Sequence, residues 1–218
     1  ITKFKTMKKY LILGTALAFS MTAFAQKDEI KSAEKALKSK NPAEAIKTLN
    51  AAASLVNASE SEIQAQYYFT KAKAHLDLAN SSVDKAKNYL EAVKAFAKVE
   101  EIEKASGKNK FVKQFAGMKV EAINNVKKIA YDDYSAKKYI ETAKAYTALY
   151  EIDATEPDYL YDAANSAIMG NDYDFALKNL EKLKSIDYIK FINTMKWEVN
   201  LWANTLFLQI HAVIYPLN

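Results

Sequence analysis

The sequence predicts an all-α protein, and three observations support this prediction. The chain of 218 residues contains only four Gly and three Pro, the residues that most often break helices and form turns. Ala, Lys, Glu and Leu, which favour helices, are abundant. Between residues 26 and 188, apolar residues recur at spacings of three and four, which is the period of an amphipathic helix. The 14 Tyr and 10 Phe provide enough apolar surface for a packed core.

Eight helices are expected in this part of the chain. Pro42 is a suitable first-turn residue and Asn41 a suitable N-cap, so together they mark the start of the second helix. Ser106-Gly107 ends the fourth. The predicted ranges are 28–39, 42–56, 61–79, 82–105, 110–132, 136–152, 158–169 and 174–185.

The front of the chain has the layout of a secretory signal in residues 7–25. A short basic start at Met7 precedes an uncharged apolar run over 11–23, and small residues flank the end at Ala25. We expect cleavage between Ala25 and Gln26 and export to the periplasm or beyond the cell of a bacterium. Residues 1–6 are expected to be translated upstream sequence.

Charge and composition disfavour several classes of function. Residues 1–25 contain four Lys and no acid, which leaves 27 Lys against 26 Asp plus Glu in the remainder. The chain contains no Arg, the preferred partner of phosphate and guanine, so we expect no nucleic-acid partner. The absence of Cys excludes disulfides and Cys-ligated zinc or iron–sulfur clusters.

The last two predicted helix pairs superimpose at a spacing of 34 residues, with 135–139 over 169–173. Small residues recur midway along the first helix of each pair and early in the second, where two helices can cross closely. They are Ala33, Ala72, Ala130 and Ala164 in the first helices, and Ala45, Ala86, Thr142 and Ala176 in the second.

These residues resemble the tetratricopeptide repeat (TPR) family. The resemblance implies an α-α superhelix, a TPR-like solenoid of about four helix pairs over residues 26–188. Ala86 and Thr142 are 56 residues apart rather than 34, so the middle pairs depart from the pattern. A non-repeating helical bundle is the alternative.

The resemblance also implies that partners bind in a groove lined by the first helix of each pair. A Lys and an Asn there would hold the terminal carboxylate of a peptide, and Tyr would give apolar contact. The alternative is that the lysines lie on solvated helix faces and the aromatic residues pack between repeats. The implied groove residues are Phe69, Lys73, Lys127, Tyr131, Tyr161 and Asn165.

No pattern predicts catalysis or a cofactor. His75 and His211 are far apart in the chain, and no carboxylate cluster accompanies them, so we expect no metal site. No Ser lies in a G-x-S-x-G context, and no Gly-rich phosphate loop is present.

Residues 189–218 form an atypical tail that contains both Trp of the chain, and 199–218 carry no charge. The tail is interpreted as a buried cap of the solenoid or as the product of a shifted reading frame. Membrane association through 199–218 is a third, less favoured interpretation, since polar residues interrupt the stretch.

These observations together predict a non-catalytic scaffold or adaptor of the bacterial cell envelope that binds a partner protein or peptide. A membrane-tethered structural subunit is the alternative. A small-ligand-binding helical domain or an enzyme is a further alternative that the residues favour less.

Overall fold

A computed structural model describes residues 27–186 and 188 of the chain. These residues form helices connected by turns, with no strand among them, so the described part of the chain is all-α, as predicted. The helices are α1 (27–38), α2 (Pro42–Val56), α3 (Ser61–Asn80), α4 (Lys85–Ser106), α5 (Val112–Ser135), α6 (Tyr139–Ile152), α7 (Asp158–Met169) and α8 (Tyr173–Ser185).

Polar side chains fix two of the helix starts. At α2, the backbone N–H of Glu44 donates to Asn41 Oδ1 over 3.2 Å, and Pro42 is the first helical residue. This confirms the predicted N-cap. At α8, the backbone N–H of Phe175 donates to Asp172 Oδ1 over 3.1 Å. Each carboxyl or amide oxygen satisfies an N–H that has no partner within its helix.

Four predicted boundaries were wrong by two residues or more. Helix α4 begins at Lys85 rather than at 82, because Ser82 and Asp84 have left-handed backbone angles, with φ of 66° and 40°. Helix α6 begins at Tyr139 rather than at 136, because Lys137 has a φ of 62°. A residue in the left-handed region cannot continue a right-handed helix.

The other two wrong boundaries are the start and the end of α5, which covers Val112–Ser135 rather than 110–132. Its start is fixed by the carboxylate of Glu103, which is 2% exposed and lies on α4. That carboxylate accepts the backbone N–H of Phe111 over 2.9 Å and that of Val112 over 3.0 Å. An acidic side chain from another helix therefore caps α5.

The chain divides into two compact units, Ile1–Ala122 and Ile123–Asn218. In the first, α3 packs against both α2 and α4. One cluster joins Ile30, Leu49 and Tyr67, and another contains the stacked rings of Phe96 and Phe115, with centroids 4.5 Å apart. Burial of these apolar side chains is the main stabilisation of the unit.

In the second unit, α7 packs against both α6 and α8. The helices approach closely at Gly170, where an added Cβ would lie 2.6 Å from Ile140 Cδ1 and 3.2 Å from Tyr139 Cβ. Thr142 Oγ1 on α6 donates to the backbone oxygen of Ala130 on α5 over 3.1 Å. A small residue and a buried hydroxyl thus set the spacing of the helices.

The small residues that the sequence places at the helix crossings are buried in both units. Ala33, Ala72, Ala130 and Ala164, one in each first helix, are 0% exposed. In the second helices, Ala45, Thr142 and Ala176 are also buried, whereas Ala86 is half-buried.

Several predictions lie outside the described residues. These are the upstream segment 1–6, the signal peptide 7–25 with its cleavage site, and the tail 189–218. Within the described ranges, no helix combines the length and the apolar character needed to cross a membrane.

Candidate functional site

A cleft of about 240 Å³ opens between α1 and α3 in the first unit. Two of the predicted groove residues, Phe69 and Lys73, lie in its wall. The complete lining, which we call the α1–α3 cleft, is Glu34, Leu37, Lys38, Phe69, Thr70, Lys73 and Asp77. The cleft therefore combines an aromatic ring and aliphatic surface with charges of both signs.

Packing against the core holds the ring of Phe69 in place. Its centroid lies 5.2 Å from that of Phe111 and 6.1 Å from that of Phe115. The ammonium of Lys73 lies 5.5 Å from the centroid of the Phe69 ring. Phe69 thus packs against the core and also lines the cleft, and its contact with a partner stays a prediction.

The charged groups of the cleft differ in their hydrogen bonds and ion pairs. Glu34 Oε1 accepts from Gln66 Nε2 over 2.8 Å. In the described part of the chain, no carboxylate oxygen lies within 4.0 Å of Lys73 Nζ. Burial raises the pKa of Asp77, and the nearby charge of Lys73 opposes this effect. The ammonium of Lys73 is therefore available to an anionic group of a ligand.

The second unit contains a separate cluster, formed by α5, α6 and α7. The ammonium of Lys127 lies 5.0 Å from the centroid of the Tyr159 ring, a cation–π contact. Tyr159 is buried and stacks on Tyr146, with centroids 6.3 Å apart and planes at 25°. Lys127, Tyr146, Tyr159 and Asp162 together are called the Lys127 site below.

Asp162 is a residue of this site that the sequence did not single out. Burial, aided by the charge of Asp158, raises its pKa to about 6, and Lys127 opposes the rise. Among residues 27–186 and 188, no ammonium lies within 4.0 Å of the Asp162 carboxylate. The spacing of Asp158 and Asp162, four residues apart on one helix, was the available signal, because such residues share a face.

Asn165 lies one helical turn beyond Asp162 on α7. Its Oδ1 is buried and accepts no hydrogen bond within the described residues, so Lys127 does not donate to it. A buried acceptor without a donor is uncommon and costs free energy. That Lys127 and Asn165 together hold the carboxylate of a peptide stays a prediction.

The other two predicted residues of the second unit have different surroundings. Tyr131 on α5 is 68% exposed. Tyr161 is half-buried, and its ring lies 6.4 Å from that of Tyr188, whose hydroxyl donates to the carboxylate of Asp158. Burial and the bond to Asp158 raise the pKa of Tyr188.

A larger cleft of about 670 Å³ lies on α6, α8 and the start of α7. Polar side chains in its wall already have partners within the unit. Thr147 Oγ1 donates to Asn179 Oδ1 over 2.9 Å, and Asn179 Nδ2 donates to the backbone oxygen of Phe175 over 2.8 Å. The predicted groove residues are not part of this cleft.

His75 lies in the interior of the first unit, 8% exposed, with Nδ1 2.8 Å from Asn88 Oδ1. Burial lowers its pKa. The part of the chain that the structure describes contains no group of three His, Cys, Asp or Glu side chains placed to hold a metal ion.

Comparison of the chain with protein-family models, with curated proteins and with solved structures found no match.

Proposed function

We propose that this protein is a non-catalytic binding protein of the bacterial cell envelope that holds an extended segment of a partner protein. In this proposal, its helices form tetratricopeptide-like pairs of an α-α superhelix, and the partner lies along the first helix of each pair. The full burial of the small residue in each first helix supports close pairing of this kind.

The α1–α3 cleft is the observation that best supports the proposal. It is open, it lies between two first helices, and it contains Phe69 and Lys73, which were predicted as binding residues. An extended peptide buries apolar side chains on such a surface and pairs its charged groups with ammonium and carboxylate groups at the rim.

Binding of a panel of short peptides, measured by fluorescence polarisation, tests this function. We expect at least one peptide to bind, and Lys73→Glu to weaken its binding by about tenfold, since the substitution reverses the charge of Lys73 in the cleft.

The matched control is Lys47→Glu, which makes the same charge change at an exposed position of α2, where Lys47 pairs with Glu44 over 3.5 Å. This control should leave binding unchanged. Equal effects of both substitutions would refute a role of the cleft, and a protein that binds no peptide of the panel would refute the proposed function.

A further inference from the structure

The Lys127 site of the second unit presents aromatic rings and hydrogen-bond acceptors close to one another. We propose that this site binds the positively charged side chain of a Lys or Arg of the partner, and not the peptide carboxylate that the sequence suggests. This inference rests on the proposed function and specifies the chemistry of the segment that binds there.

The Lys127 site contains the ring of Tyr159. It already has an ammonium, that of Lys127, 5.0 Å from its centroid. Tyr159 is in turn supported by the stacked ring of Tyr146. Such rings attract a cation through their negative faces, and guanidinium groups pack on them especially well. The ring thus already holds the ammonium of Lys127, and the ammonium or guanidinium of a ligand would compete for that place.

Two hydrogen-bond acceptors on α7 lack a cationic group or a donor beside them among the described residues. The Asp162 carboxylate has no ammonium within 4.0 Å in the described ranges. The Asn165 Oδ1, one turn along the same face, has no donor there. Both are acceptors, and an ammonium or guanidinium group brings the donors that they need.

Negative charges outnumber positive charges around the Lys127 site. Asp158 and Asp162 both act on the site, against the single charge of Lys127. A carboxylate ligand would gain Lys127 but would be repelled by two acids in a partly buried place. A cationic ligand gains two attractive partners and meets one repulsion, so the electrostatics favour the cation.

Titration of the site offers a check on this assignment. The charged or titratable groups that face Asp162 are Lys127 from α5, Tyr146 from α6 and Asp158 on its own helix, and Tyr188 binds Asp158. A bound cation needs the ionised carboxylate. Affinity for a cationic peptide should therefore rise between about pH 5 and about pH 7.5, as Asp162 loses its proton.

The test uses the full chain and peptides of one Ala- and Ser-based sequence with blocked termini, whose central residues are all Lys, all Leu or all Glu. A fourth peptide has the Leu sequence and a free terminal carboxylate. At neutral pH and low salt, we expect the Lys peptide to bind at least about tenfold more tightly than the others.

Three variants distinguish a site for a cation from a site for a carboxylate. Asp162→Asn, which keeps the size of the side chain, should weaken binding of the Lys peptide about tenfold, whereas Asp132→Asn on α5 should leave it unchanged. Lys127→Met should preserve or strengthen binding of the Lys peptide, because it removes the competing ammonium. If the site held a carboxylate, Lys127→Met would instead abolish binding of the peptide with the free terminal carboxylate.

The outcomes also separate this inference from the proposed function. Preference for the Glu peptide or for the free carboxylate, or binding of the Lys peptide that Asp162→Asn does not change, would overturn the cation site alone. If none of the four peptides binds, while the peptides that depend on Lys73 still bind, the function stands and the inference fails. If neither the four peptides nor the panel used for the α1–α3 cleft binds, the proposed function is overturned.

Discussion

Replacement of Asp162 by Asn should stabilise the protein at neutral pH, although it removes a group that we assign to binding. The carboxylate is partly buried without an ammonium close to it, and its pKa is raised from 3.8 to about 6. The folded state therefore holds the proton more tightly than the unfolded chain does. The stability that this group contributes is present below about pH 3.8 and is lost as the pH rises through about 6.

The size of the effect follows from that difference in pKa. A rise from 3.8 to about 6 corresponds to about 3 kcal/mol of unfavourable free energy for the ionised form. Asp162 is only partly buried, and water that reaches it reduces this cost, so we expect Asp162→Asn to raise the free energy of unfolding by about 1–2 kcal/mol at neutral pH. As the pH falls to about 3.8 and below, the carboxyl becomes protonated in both states, so at about pH 4 only a small part of the gain should remain.

Urea unfolding followed by circular dichroism measures the gain in the free energy of unfolding at about pH 7.5 and its decrease at about pH 4. The control is Asp132→Asn, because Asp132 is 62% exposed and pairs with Lys128 over 3.6 Å. It should change stability by less than about 0.5 kcal/mol at either pH. Destabilisation by Asp162→Asn at neutral pH, or an equal gain at both pH values, would refute the reasoning.

Three further predictions concern other parts of the chain. Glu103→Ala should lower the free energy of unfolding by about 2–3 kcal/mol in urea, since the N–H groups of Phe111 and Val112 lose a buried acceptor. The same substitution at exposed Glu101 should cost less than about 0.5 kcal/mol, and equal costs would contradict the capping role. Gly170→Ala should cost about 1 kcal/mol in thermal unfolding, because the added methyl would lie 2.6 Å from Ile140 Cδ1, and an unchanged Tm would count against this contact. The amino terminus of the exported protein, determined by sequencing, should be Gln26, and a start at Ile1 or Met7 in the membrane fraction would contradict the secretory signal.

The sequence was sufficient to predict the helices because their signals are local. The period of the apolar residues gave all of the described helices, and the cap at Asn41 is formed as predicted. The wrong starts of α4 and α6 have a physical cause. Ser82, Asp84 and Lys137 adopt left-handed angles without being Gly, and residue type alone does not indicate this.

The candidate sites were predictable only in part, because they depend on contacts between helices. Phe69 and Lys73 were predicted from their place in the helix pair, and both line the α1–α3 cleft, while their binding role stays a prediction. The pKa of Asp162, by contrast, results from burial and from nearby charged groups. The cap at Glu103 joins the end of α4 to Phe111, which lies beyond the turn at Gly107. Such contacts between separate segments leave no local signal in the sequence.

The central claim is that a partner lies along the first helices, and site-specific photo-crosslinking in cells tests it most directly. A photoreactive residue in place of Lys38, which lines the α1–α3 cleft, should form a crosslinked product with a partner protein. The same residue in place of Lys47 on α2 should form none. A product at Lys47 without one at Lys38 would contradict the claim.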